Sequence, residues 1–76
     1  MIIMKQLEKR AERTIDQLLP GDILKRRSDG CFYKLETISE DNVLNEKLFI
    51  FYGFAVKFAR NLRFHFEMED GLFSIY

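Results

Sequence analysis

Residues 48–58, LFIFYGFAVKF, leave the chain few choices, because only Gly53 and Lys57 in this run are not hydrophobic. Read with a period of two, Leu48, Ile50, Tyr52, Phe54, Val56 and Phe58 make one apolar face. The other face then carries Phe49, Phe51, Gly53, Ala55 and Lys57. Aromatic and β-branched side chains fit a pleated surface, so the pattern predicts one long strand lining the core, with Gly53 as the place where it bends. A helix would gather Leu48, Phe51, Tyr52, Ala55, Ala59 and Leu62 on one stripe. It would also strand Ile50 and Phe54 on its far side and hold Gly53 in its interior, at a cost of about 1 kcal/mol. The strand is the better reading.

A chain of 76 residues is expected to form a single domain over 1–76. Such a domain hides only about 60% of the surface that its unfolded chain exposes. Eight Phe and three Tyr compensate, since a fully buried Phe contributes about 2–3 kcal/mol. Cys31 has no second cysteine to pair with, and one Cys with one His falls short of a four-ligand zinc site. No disulfide, metal or cofactor is therefore expected, and a reducing, cytoplasmic setting fits. Twelve basic and twelve acidic residues cancel, so no overall field draws the chain to nucleic acid or to an anionic membrane. The four apolar residues MIIM before Lys5 are too few for a signal-peptide core, and no run approaches the length of a membrane helix.

In chain order, residues 4–19 read as the one helix. Met4, Leu7, Ala11, Ile15 and Leu18 line one stripe, and Lys5/Glu8, Lys9/Glu12 and Arg13/Asp16 pair opposite charges three apart. Pro20-Gly21 ends it. Ser28-Asp29-Gly30 then predicts a three-residue hairpin loop with Gly30 left-handed, setting Ile23 against Leu35, Lys25 against Tyr33 and Arg27 against Cys31. Residues 39–46 are polar and read as a loop. A loop at Ala59-Arg60-Asn61, with Asn61 left-handed, would set Phe58 against Leu62, Val56 against Phe64, Phe54 against Phe66 and Tyr52 against Met68. A type I′ turn at Asp70-Gly71 would set Met68 against Phe73 and Phe66 against Ile75. The predicted fold is α+β: one N-terminal helix followed by a five-stranded antiparallel meander, as a small SH3-like barrel or an open sheet with the helix packed on it.

Catalytic equipment is sparse. Cys31 and His65 are the only thiol and imidazole, and the predicted registers point them to opposite faces. The carboxylate groups Glu40, Asp41, Glu46 and Glu67, Glu69, Asp70 lack calcium-loop spacing, and no phosphate loop or nucleophile elbow is present. The expected role is a non-enzymatic protein-binding module, of inhibitor or adaptor type, whose partner is another protein or a second copy of itself. Its patch would be the sheet face opposite the core, with Phe49, Phe51, Leu72 and Tyr76 as anchors in a mixed-charge rim of Lys57, Arg63, His65, Glu67 and Glu69. The alternative is a small nucleic-acid-binding barrel using the first hairpin, where Lys25, Arg26, Arg27 and Lys34 crowd around Phe32. No membrane partner is expected.

Overall fold

The computed structural model describes residues 7–41, 43, 45–57 and 59–76. Its strands are β1 (Ala11–Arg13), β2 (Ile23–Lys25), β3 (Phe32–Asp41), β4 (Glu46–Phe51) and β5 (Phe54–Lys57). A 3-10 turn at Ala59–Asn61 runs into a single α-turn, α1 (Leu62–His65), and β6 (Met68–Glu69) and β7 (Leu72–Ile75) follow. Two open antiparallel sheets result, with strand orders β1-β7-β6 and β2-β3-β4-β5. The fold is α+β, but its helix is C-terminal and neither sheet closes, so the N-terminal helix and the barrel of the sequence reading are both corrected.

The run at 48–58 is a hairpin, not one strand. Gly53 adopts φ +91°, and the chain reverses at Tyr52-Gly53 so that Phe51 faces Phe54 and Phe49 faces Val56. Across a two-residue turn, opposed residues share a face, which puts the odd positions of β4 and the even positions of β5 on the same side. Phe49, Phe51 and Val56 are accordingly buried, and Phe54 packs against them half-buried. Leu48 and Ile50 turn to the outer face, and Tyr52 at the turn is 80% exposed. Phe58 lies outside the described residues.

Tertiary pairing also overrides the helical stripe at the N-terminus. Met4 and Lys5 lie outside the described residues. Ala11, Glu12 and Arg13 pair with Ile75, Ser74 and Phe73, and Arg10 donates its N–H to the Ile75 carbonyl at 2.8 Å. A 3-10 turn at Ile15–Gln17 follows, in which Gln17 Oε1 accepts from the Thr14 N–H at 3.1 Å. Side-chain pairs three apart are worth only a few tenths of a kcal/mol, whereas pairing with the buried strand β7 satisfies backbone groups and buries apolar surface. The Lys9–Glu12 ion pair survives without the helix.

The first hairpin is shifted by one residue from the predicted register. Ile23 faces Lys34, Leu24 faces Tyr33 and Lys25 faces Phe32, around a four-residue loop at 27–30. The Arg26 N–H bonds the Cys31 carbonyl and the Gly30 N–H bonds the Arg26 carbonyl, with Gly30 left-handed at φ +69° as expected. The shift turns Leu24 inward beside Leu35, both fully buried, and leaves Cys31 exposed at the loop. The polar stretch at 39–46 extends the second hairpin, since Glu40 faces Lys47 and Asp41 faces Glu46.

Residues 62–65 form a helical turn, so the expected pairs of Val56 with Phe64, Phe54 with Phe66 and Tyr52 with Met68 are absent, and that of Phe58 with Leu62 lies outside the described residues. Asn61 sits at φ −76°, in the right-handed helical region. Leu62 and Phe66, four apart on a helical turn, both point into the core. The turn at Asp70-Gly71 forms as expected, with φ +53° and +77°, and sets Met68 against Phe73. Phe66 bridges to Arg26 instead of Ile75. Around that bridge, the Arg27 N–H bonds the His65 carbonyl and the Glu67 N–H bonds the Lys25 carbonyl, both at 2.8 Å. This short ladder joins the first hairpin to α1, while the Tyr76 N–H bonds Ile23 across the other side of β2. The core between the sheets holds Leu18, Leu24, Leu35, Phe49, Phe51, Val56, Leu62, Phe66, Phe73 and Ile75.

Candidate functional site

The aromatic patch expected on the sheet does not exist as a surface. Phe49 and Phe51 are 1% and 2% exposed. Leu72 is half-buried in β7, and Tyr76 packs edge-on against Phe32 with ring centroids 5.0 Å apart. Lys57, Arg63 and His65 are exposed, as the rim residues were meant to be. Lys57 lies on β5, where its carbonyl accepts from Asn61 Nδ2 at 2.9 Å. His65 lies on α1 with Arg63, its ring centroid 6.3 Å from that of Phe54.

The first-hairpin set is also divided. Lys25 reaches Glu67 at 3.9 Å and stands 6.0 Å from the Phe32 ring centre. Phe32 is half-buried, with Tyr76 against it, while Lys34 is exposed. Arg26 lies over the Tyr33 ring at 4.5 Å and the Phe54 ring at 5.3 Å, and it is paired with Asp29. Asp29 is the organiser of this loop. Its Oδ2 takes the Arg26 guanidinium, its Oδ1 accepts the Cys31 N–H at 2.9 Å, and the Tyr33 hydroxyl donates to it at 3.4 Å. The Arg26 hydrogen bond, with the Cys31 N–H second, holds the Asp29 carboxyl well below the usual carboxylate range. A depressed carboxyl contributes stability that is present above its unfolded pKa of about 4 and is lost as pH falls toward its folded value. Acid titration of the wild type should therefore loosen the 27–30 loop only below about pH 4. Asn in place of Asp29 should remove that acid-dependent step, and amide exchange at Cys31 is the readout. Equal pH dependence in both proteins would refute the Asp29 clasp.

Cys31 and His65 form no dyad: the Cys31 thiol lies 3.9 Å from the Asp29 carbonyl, within the loop. Among the described residues, no group of His, Cys, Asp or Glu is placed to hold a metal ion. Glu67 and Glu69 are engaged separately, Glu67 by Lys25 and the Tyr76 hydroxyl and Glu69 by Lys9.

Besides packing Phe32 on Tyr76, the fold sets one more residue of each predicted set around a common hollow. Arg27, from the hairpin, and Arg63, from α1, line it because residues 25–27 pair with 65–67. Arg27 Nε donates to the Phe66 carbonyl at 2.7 Å, and Arg63 Nε donates to the Arg60 carbonyl at 3.2 Å. Phe64 stands beside Arg63, 72% exposed, with the Arg63 guanidinium 5.8 Å from its ring centre. Arg27, Arg63, Phe64, Met68, Asp70 and Gly71 line a hollow of about 430 Å³. A second hollow, of about 440 Å³, shares Arg63, Met68 and Gly71 with it and continues past Arg60 to Ile15, Ala59 and Phe73. The pair form one shoulder with an apolar floor and an arginine wall.

Phe64 was misread as a core residue because a period of two puts it in step with Leu62 and Phe66. The signal that finds it is the helical period: with Leu62 and Phe66 inward, Phe64 is about 200° around the turn and must face out. No family model, curated protein or solved structure matches this chain. No helix among the described residues is long and apolar enough to cross a membrane.

Proposed function

We propose that this chain is a small protein-binding module that works by docking, without chemistry of its own, and that its docking face is the shoulder around Phe64. The observation that carries this reading is a large aromatic ring left 72% exposed on a hollow that it lines with two arginines held in place by backbone carbonyls. A bare Phe gains little where it stands, but aromatic anchors and arginines are the side chains on which interface energies concentrate. The adjoining hollows supply depth for a partner side chain.

A second reading keeps the same face. Arg27, Arg60 and Arg63 with an open ring also make the ingredients of a single-strand nucleic-acid platform, where bases stack and phosphates are neutralised. Neutral overall charge and the apolar floor favour protein.

The test is selection of random displayed peptides on the immobilised wild type, followed by rebinding to Phe64→Ala. Enriched peptides should bind the variant at least about tenfold more weakly, while its unfolding midpoint stays within about 0.5 kcal/mol of wild type. No enrichment, or binding indifferent to Phe64, would overturn the protein reading. Salt-sensitive binding of a labelled oligothymidine that Phe64→Ala abolishes would replace it with the second.

A further inference from the structure

We infer that the partner presents an acidic segment to this shoulder, with carboxylates on Arg27 and Arg63 and an apolar side chain in the hollow beside Met68. The inference rests on the docking reading above and adds the chemistry of what docks. Its warrant is how the arginines are used. Arg13 and Arg26 each have an aspartate, Asp22 at 3.6 Å and Asp29 respectively. Arg27 and Arg63 have none among the described residues. Among the described residues, each makes its hydrogen bond through Nε–H to a backbone carbonyl, which positions the guanidinium and leaves the paired Nη donors for a ligand.

A guanidinium so held presents a fork whose spacing matches a carboxylate, and little ordering remains to be done on binding. Among the described residues, Arg27 and Arg63 line the first hollow with Asp70 as the one acid beside them. Carboxylates on a peptide fit better than a run of phosphates for two reasons. Asp70 and Gly71 close one side of the first hollow, where a continuous polyanion would meet a like charge. Ile15, Ala59 and Met68 floor the second, a lining that suits an aliphatic or aromatic side chain rather than a solvated backbone.

Three sets of fluorescein-labelled decapeptides decide the matter, each with one central Leu or Phe flanked by Asp and Glu, by Asn and Gln, or by Lys. Anisotropy against the wild type should rank the acidic set at least about tenfold tighter than the amide set, with the gap narrowing as salt is added. Arg27→Gln and Arg63→Gln should each erase most of that gap while keeping the wild-type circular dichroism and unfolding midpoint. Amide peptides that bind as well as acidic ones, with Phe64→Ala still weakening both, would overturn the acidic inference and leave the docking module standing. Binding of none of the three sets would overturn both, and oligothymidine binding alone would assign the arginines to phosphate.

Discussion

Phe51→Glu is expected to unfold the protein. Phe51 stacks on Phe54 at 5.3 Å between ring centroids and lies tilted against Phe66 at 4.6 Å, and it is among the best buried side chains of β4. The substitution discards the burial of an aromatic ring, about 2–3 kcal/mol, and forces a carboxylate into the same space. No counter-charge is at hand, because the Arg26 guanidinium over the neighbouring Tyr33 and Phe54 rings is already committed to Asp29. An unpartnered buried charge adds several kcal/mol more. A domain of this length is stable by roughly 4–11 kcal/mol in total, so the sum takes most or all of it. Far-ultraviolet circular dichroism in a urea titration is the measurement, with Phe51→Leu as a control that keeps most of the volume. A cooperative Phe51→Glu transition at the wild-type midpoint would mean that Phe51 faces solvent, and with it that the chain does not reverse at Tyr52-Gly53.

That substitution also marks where the sequence was readable and where it was not. Composition, the Asp70-Gly71 turn and the left-handed Gly30 were legible because each depends on a local preference. A residue that tolerates positive φ must sit where positive φ is needed. The hairpin at 48–58 was not legible in the same way. Both faces of that run are hydrophobic, so alternation cannot say which face is inner. A turn at its centre also exchanges odd for even positions with no change in composition. Gly53 was noticed as a bend, and at φ +91° it is a full reversal. The N-terminal segment failed for another reason. Its stripe and charge pairs favour a helix by tenths of a kcal/mol, and an open edge of β7 offers backbone hydrogen bonds and cover for Ile75. No local pattern announces that edge.

The candidate site shows the same division. Arg27 and Arg63 were each singled out, but in rival sets, since nothing in the sequence says that 25–27 lies beside 65–67. The link runs through Phe66, whose bridge to Arg26 depends on a one-residue register in the first hairpin. A loop of three residues in place of four would have turned Leu24 out of the core and rotated Arg27 to the opposite side. The candidate site hangs on register, and register is the least local property of a sheet.

Phe66→Ala should cost about 3–5 kcal/mol, and Phe64→Ala, two residues earlier, should cost less than about 0.5 kcal/mol. Phe66 is fully buried, with Phe51, Phe54 and Tyr33 ring centroids at 4.6, 5.9 and 6.4 Å, so truncation opens a cavity where the two sheets and α1 meet. Its backbone would be unaffected at first: the N–H keeps the Leu62 carbonyl at 2.9 Å and the carbonyl keeps Arg27 Nε. The loss is therefore one of packing. Phe64 is 72% exposed, and among the described residues its ring has no aromatic neighbour of this kind, only the Arg63 guanidinium 5.8 Å from its centre. The contrast between the two decides the local structure as well as the core. In a strand, Phe64 and Phe66 would share a face and the two changes would cost alike. On a helical turn they stand on opposite sides, and the same chemical deletion unfolds the domain at one position and is silent at the other. Urea midpoints of the two variants, measured together, separate these cases. Equal losses would return residues 62–66 to a strand and remove Phe64 from the surface on which the docking proposal depends.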